Sequence, residues 1–112
     1  MDTLTLTLHE AIVRVLQEFR EFLGDDPDAI AQVVIDSESQ HYLLVETGWQ
    51  RRRRIYGVLI HIDIIDGKIW IQHDGTETGI ANELVDLGIS KDKIVLAYKS
   101  LERRKITDFA VS

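Results

Sequence analysis

Residues 55–73 read IYGVLIHIDIIDGKIWIQH, which places two β-branched runs on either side of the dipeptide Asp66-Gly67. This dipeptide favours the two-residue type I′ turn of a β-hairpin, because both of its residues tolerate a positive φ. A two-residue turn also sets the register of the hairpin. One face of the hairpin is then isoleucine-rich, and we predict it to be the core face: Ile60, Ile62, Ile64, Ile69 and Ile71.

The opposite face of the hairpin is polar and carries His61, Asp63, Trp70 and Gln72. The register predicts Asp63 opposite Trp70, and His61 opposite Gln72. Histidine titrates near neutral pH, so Asp63 could orient His61 for acid–base chemistry. A solvated polar face is the favoured interpretation. A protein interface centred on Trp70 comes next, and catalysis by His61 and Asp63 comes last.

An amphipathic helix is predicted near the N-terminus, because apolar residues recur there at helical spacing: Leu8, Ile12, Val15, Leu16, Phe19, Phe22 and Leu23. Gly24 is expected to end this helix in a left-handed cap. Its start is open to two interpretations. Thr7 and Glu10 match a capping box, while Asp2 or Thr3 could cap a longer helix.

Two strands are expected between this helix and the hairpin, at residues 30–35 and 42–45, where β-branched and aromatic residues cluster. Gly48 and Trp49 are expected to end the second strand, and Arg51–Arg54 to form the next connection. After the hairpin, Thr76 or Thr78 is predicted to cap a short helix that Gly88 closes. A last strand is predicted at residues 94–98.

The predicted order of elements is α-β-β-β-β-α-β within a single domain of residues 1–112. Hairpin-linked strands flanked by helices indicate an α+β two-layer fold, with a mostly antiparallel sheet of about five strands and helices packed on one face. The tail from Lys99 to Ser112 contains Ile106, Phe109 and Val111, so it is expected to dock back on the domain.

The composition, 45% hydrophobic and 29% charged in 112 residues, is that of a packed globular chain. There are no cysteines, which excludes thiolate catalysis and cysteine-ligated metal centres. No apolar run approaches the roughly 20 residues that a membrane span requires. The expected location is therefore the cytoplasm.

Two short basic clusters stand out against a net charge of −6. The first, Arg51, Arg52, Arg53 and Arg54, follows Trp49, and these five residues are candidate partner contacts. The second, Arg103, Arg104 and Lys105, is a candidate nucleic-acid contact. A solvated loop or an acidic protein partner is favoured over DNA for the first cluster. If the folded chain brings both clusters together on one surface, DNA binding becomes a more favoured hypothesis.

No cofactor or metal site is expected. The four histidines, at positions 9, 41, 61 and 73, show no ligand spacing along the chain. The His61–His73 pair is predicted to lie on opposite sheet faces. Phosphate-binding and dinucleotide-binding motifs are absent. A tight turn explains Asp66-Gly67-Lys68 better than a nuclease motif does.

Several short motifs, read in order from Ile35 onward, carry a resemblance to a known family. The first of them are Asp36 and Glu38, His41-Tyr42, Gly48-Trp49, Arg54-Ile55-Tyr56-Gly57 and His61-Ile62-Asp63. The later ones are Asp66-Gly67-Lys68-Ile69-Trp70-Ile71-Gln72, Thr76-Glu77, Ile80-Ala81, Glu83-Leu84-Val85, Leu87-Gly88, Lys105 and Thr107-Asp108-Phe109-Ala110-Val111. Over about two-thirds of the chain, this series resembles the XisI family of cyanobacterial proteins.

The resemblance implies a controlling factor needed for excision of the fdxN element, a DNA insertion that a separate recombinase removes during heterocyst differentiation. It implies a compact α+β fold and a non-enzymatic accessory role through an XisH-like partner protein, and it carries over no catalytic residue. The Arg51–Arg54 run is more basic than the corresponding family loop is expected to be.

Two alternatives to this role stay open, and so does the oligomeric state. The chain could be a DNA-binding module of an excision complex, which would use Arg51–Arg54 and Arg103–Lys105. It could be a hydrolase or nuclease that uses His61 and Asp63, although this is the least favoured. A homodimer through the Trp70 face is also compatible with the sequence.

Overall fold

The computed structural model describes residues 6–112. Its helices are α1 (Leu8–Leu23), α2 (Ile80–Asp86) and α3 (Leu101–Arg104). Its strands are β1 (Ala29–Asp36), β2 (His41–Gln50), β3 (Arg53–Ile65), β4 (Lys68–Asp74) and β5 (Ile94–Leu96). A short 3₁₀ turn at Lys91–Lys93 precedes β5.

The strands form one five-stranded sheet in the order β1-β2-β3-β4-β5, which is also their order along the chain. The first four strands are antiparallel neighbours, whereas β5 runs parallel to β4 after the connection through α2. The predicted α+β fold, with a mostly antiparallel sheet and the order α-β-β-β-β-α-β, is confirmed. The structure adds α3, a single helical turn in the C-terminal tail.

The Asp66-Gly67 turn has the predicted form, with positive φ at both residues (50° and 75°). Near the turn the register is also as predicted, because Asp63 pairs with Trp70. Farther from the turn it differs, since His61 pairs with His73 and not with Gln72. A β-bulge adds one residue to β4 at this point, and a turn sets the register only as far as the first bulge.

The hydrophobic core lies between one sheet face and the helices α1 and α2. All five isoleucines of the predicted core face lie there; four are fully buried, and Ile64 packs against them partly exposed. Helix α1 contributes Ala11, Ile12, Val15 and Leu16. It begins at the predicted Thr7 capping box and ends at Gly24. The alternative caps Asp2 and Thr3 lie outside the described residues.

The start of α2 differs from the prediction that Thr76 or Thr78 caps it. The Asp74 carboxylate instead accepts a hydrogen bond from the Ile80 backbone N–H (2.8 Å), and its other oxygen accepts from the Thr76 N–H (2.9 Å). A carboxylate stabilises a helix start more strongly than a hydroxyl, because it carries a full negative charge. Gly88, with φ of 101°, follows the helix end as predicted.

The C-terminal tail docks on the sheet, as predicted. Ala110 pairs with Val95 and donates its N–H to the Ile94 carbonyl (2.9 Å). Val95 is fully buried although it lies on the sheet face opposite the core. The tail therefore covers the β4–β5 end of that second face. None of the helices in residues 6–112 is long and apolar enough to cross a membrane.

Candidate functional site

A cluster of polar side chains surrounds the carboxylate of Asp63. His41 Nδ1 lies 2.7 Å from Asp63 Oδ1, and His61 Nε2 lies 3.0 Å from the same oxygen. The Gln72 side-chain amide donates to Asp63 Oδ2 at 3.3 Å. The structure thus joins three residues predicted from the hairpin with His41, which the sequence analysis did not select as a site residue.

His41 reaches this cluster because of a β-bulge in β3. The two-residue turn Arg51-Arg52 sets the β2–β3 register, in which Val45 pairs with Val58. An unbroken register would place His41 opposite Ile62, but the extra residue Leu59 moves it opposite Asp63.

Asp63 is the one acidic or basic residue that is buried among residues 6–112, with 8% of its surface exposed. A buried carboxylate is costly unless hydrogen bonds compensate for its lost hydration. Burial opposes ionisation of Asp63, but the hydrogen bonds from His41 and His61 outweigh it and lower the pKa of Asp63. The hydrogen bond to Asp63 raises the pKa of His41, against a smaller effect of partial burial.

His41, His61 and Asp63 form a potential metal-ligand set, because one donor atom from each lies within 4.8 Å of the others. The expectation that no pair of histidines has ligand spacing holds along the chain but does not carry over to three dimensions, where His41 and His61 both reach Asp63. The prediction that His61 and His73 lie on opposite faces fails as well, since they are cross-strand partners. Distance along the chain does not measure distance between neighbouring strands.

The Trp70 ring is half-buried, and the guanidinium of Arg104 lies over it at 5.7 Å from the ring centroid. The same guanidinium donates to the carbonyls of Lys99 (2.9 Å), Ala97 (3.1 Å) and Val111 (3.4 Å). Arg104 thus holds the tail against the sheet.

The other two members of the second basic cluster point outward. Arg103 is exposed, and Lys105 lies 3.7 Å from Glu102 in an exposed ion pair. Because Arg104 is engaged with the tail and Lys105 is close to Glu102, this cluster offers a nucleic acid fewer unpaired positive charges than its sequence suggests.

Over strands β1–β3, the sheet face opposite the core carries an apolar surface, which we call the open sheet face. Its members lie on neighbouring strands with their side chains on the same side: Ile30, Val34, Leu43, Val45, Trp49, Tyr56 and Val58. Exposure reaches 77% at Tyr56, 56% at Trp49 and 52% at Ile30. Of these residues, only Trp49 is among the contacts predicted from the sequence.

The first basic cluster borders the open sheet face. Arg51 and Arg52 form the β2–β3 turn, whereas Arg53 and Arg54 belong to β3 and are not part of the predicted connection. Arg54 lies over both Trp49 and Tyr56, with its guanidinium carbon 5.5 and 5.9 Å from their ring centroids. Cations therefore flank one end of the apolar surface.

The two basic clusters do not meet. Arg54 and Asp63 are nine residues apart on β3, which corresponds to about 30 Å of strand. Trp70, which Arg104 covers, pairs with Asp63 at the far end. The convergence that would favour a DNA-binding module is not found.

Two concave regions are relevant to the candidate functions. A depression of about 390 Å³ adjoins the Asp63 cluster and is lined by Val34, Asp36, His41, Leu43, His61 and Asp63. A groove of about 460 Å³ lies on the other side of the sheet, between α1 and the start of α2. Phe22 lines this groove and is 81% exposed.

Comparison with known proteins gives consistent matches. Over residues 1–111 the chain matches the family model described as XisI protein. It is similar to the structure of a XisI-like protein from Anabaena variabilis, with a TM-score of 0.86, 37% identity, and coverage of 92% of this chain and 94% of that one.

A second similar structure is the fdxN element excision controlling factor XisI from Anabaena variabilis. Its TM-score is 0.79, its identity is 27%, and the match covers 91% of this chain and 93% of that one. A search of curated proteins found no match.

Proposed function

The chain belongs to the XisI family, and from this membership we propose that it is a non-enzymatic controlling factor for excision of a DNA element. A relative that is 27% identical carries the description of fdxN element excision controlling factor. In this proposal the protein acts in the cytoplasm, during heterocyst differentiation, by binding an XisH-like partner. It supplies a docking surface and leaves recombination to another protein.

The open sheet face is the observation that carries the proposal. Large exposed apolar patches are uncommon on monomers and mark sites of association. Aromatic residues and arginine are also enriched at protein interfaces, and here the Arg54 guanidinium lies over the rings of both Trp49 and Tyr56. This arrangement suits a partner with an apolar centre.

The charge around the open sheet face specifies the partner further. Arg51, Arg52 and Arg53 are exposed at the hairpin end of the face. A partner that presents acidic side chains to this hairpin, beside its apolar centre, would be complementary in both hydrophobicity and charge. We propose that an XisH-like protein has this surface.

The proposal is tested by co-expressing the chain with the XisH-like protein and measuring the mass of the eluting species by light scattering. We expect one complex with the unchanged chain. Tyr56→Ser combined with Trp49→Ser removes two exposed aromatic side chains of the open sheet face without disturbing the core. This double variant should elute separately from the partner.

Phe22→Ser is the matched control, since it also removes an exposed aromatic ring, but from the groove between α1 and α2. This variant should still form the complex. Separate elution of the unchanged chain and the partner would overturn the proposal. Loss of binding in Phe22→Ser alone would move the partner site to the groove, and a larger mass without the partner would indicate self-association.

A further inference from the structure

We propose that His41, His61 and Asp63 form a binding site for a divalent transition-metal ion of the zinc type. This site does not depend on the docking role proposed above. It lies beyond the apolar residues of the open sheet face, at the end of β3 that faces the Asp66-Gly67 turn.

The donor atoms already converge on one point. Both imidazole nitrogens, His41 Nδ1 and His61 Nε2, lie within 3.0 Å of Asp63 Oδ1. An ion with ligand distances near 2.0–2.1 Å separates tetrahedral donors by about 3.3 Å. The ion would thus replace two hydrogen bonds after a small outward movement of the imidazoles. The His41 side chain is 54% exposed and free to make that movement.

All three donors lie on strands that are paired with each other in the sheet. His61 and Asp63 are two positions apart on β3, so their side chains share one sheet face. His41 is the direct cross-strand partner of Asp63 on β2. Ligands on paired strands are held more precisely than ligands on loops. The Gln72 amide donates to Asp63 Oδ2, which leaves Oδ1 directed at the histidines. Such an outer partner orients a carboxylate ligand in many metal sites.

The donor chemistry selects the class of ion. Two imidazoles and one carboxylate suit zinc and its neighbours in the first transition series, whereas calcium and magnesium prefer an all-oxygen shell. Three protein ligands leave at least one coordination position for water or a further ligand. The depression of about 390 Å³ beside the cluster gives that position access to solvent.

Zn²⁺ titration of the chelator-treated full chain, followed by calorimetry, tests the proposal. We expect one ion per chain. Cobalt(II), which absorbs visible light more strongly in four-coordinate than in six-coordinate sites, provides an independent spectroscopic measurement. Asp63→Asn keeps the size of the side chain but removes its charge. It should weaken binding by more than the about 10- to 100-fold that loss of an outer partner costs.

His41→Ala provides a second test that preserves the buried part of the cluster, and it should weaken Zn²⁺ binding to a similar extent. His9→Gln is the control, because His9 lies on α1, contacts Tyr42 and belongs to the core side of the sheet. It should bind the metal as the unchanged chain does. Absence of saturable binding, or an unchanged affinity for Zn²⁺ in either Asp63→Asn or His41→Ala, would overturn the proposal.

Discussion

Arg104 covers Trp70, with the guanidinium carbon 5.7 Å from the centroid of the aromatic ring. The contact joins a residue of the C-terminal tail to the middle of β4. Because Arg104 also donates to three backbone carbonyls of the segment that follows β5, the ring and the tail form one packed unit. Arg104 therefore has a role in stability that its place in a basic run does not reveal.

Replacement of Arg104 by alanine should lower the free energy of unfolding by about 2 kcal/mol, because the charged hydrogen bonds and the contact with Trp70 are lost together. Arg103→Ala changes the charge equally but removes an exposed side chain, so its effect should stay within about 0.5 kcal/mol. Urea unfolding measures both values. Equal effects of the two variants would contradict the structural role of Arg104.

Gly48 lies where the loop before β1 passes close to β2. A Cβ atom there would overlap the Asp28 carbonyl oxygen, so the backbone would have to shift. Gly48→Ala should cost about 1–3 kcal/mol or more of unfolding free energy.

Gly57→Ala is the matched control for this prediction, because Gly57 lies on the adjacent strand and a Cβ there meets no atom within 4 Å. It should be neutral or slightly stabilising, since alanine restricts the unfolded chain more than glycine does. Thermal unfolding of both variants tests the comparison. A Gly48→Ala protein as stable as Gly57→Ala would contradict the close approach.

His41 should make stability depend on pH near neutrality. Its pKa is raised above the ordinary value of 6.5 by the hydrogen bond to Asp63. The folded state therefore binds the proton more tightly than the unfolded state. The stabilising contribution of protonated His41 is fully present below pH 6.5 and is lost as the pH rises through the pKa of the folded state.

The unfolding midpoint, measured with chelator present, should accordingly fall as the pH rises from about 6 to about 8. His41→Gln should flatten the pH dependence of the unfolding midpoint in this range. His73→Gln should leave that dependence unchanged, because His73 makes no hydrogen bond to Asp63. A slope unchanged by His41→Gln would contradict the assignment.

Asp63 should make stability depend on pH in the acid range, where stability should fall as the pH falls. Its pKa is lowered below the ordinary value of 3.8. Its contribution is therefore present above that value and is lost as the pH falls through the folded pKa. Asp63→Asn should be less stable than the unchanged chain at neutral pH, and the difference should shrink toward strong acid. Acid titrations followed by circular dichroism measure this, and a constant difference would contradict it.

Arg51 adopts a φ of 61° at the β2–β3 turn, a conformation that strains most side chains. Asparagine tolerates this region better, so Arg51→Asn should stabilise the fold by about 0.5–1 kcal/mol. Arg52→Asn, at the neighbouring turn position, should show no such gain. Chemical unfolding compares the two. A gain shared by both would point to relief of charge repulsion and not of backbone strain.

Local signals in the sequence were sufficient for much of the fold. The Asp66-Gly67 turn depends on two adjacent residues, and the ends of α1 depend on Thr7 and Gly24, so short-range physics decides them. The bulge at Leu59 has no comparable local signal. Because that bulge brings His41 to Asp63, one of the three residues of the candidate metal cluster could not be derived from spacing along the chain.

The sequence pattern favours Trp70 as the centre of a possible interface, whereas the structure leaves Trp49 the more exposed of the two tryptophans. Both Trp49 and Trp70 lie on the sheet face opposite the core, and pattern alone does not separate them. The difference arises from Arg104 and the tail, which cover Trp70 and leave Trp49 exposed. Which part of a sheet face stays open depends on contacts between residues far apart in the chain.

The strand order, which repeats the order along the chain, also bears on how the protein folds. Strands β2, β3 and β4 each pair with the strand made just before, so the entropy lost in closing each loop is small. The sheet can grow by successive addition while the chain is being synthesised. Only β5 and the segment that follows it must wait for a longer connection to close, and we expect their docking to be the last step of folding.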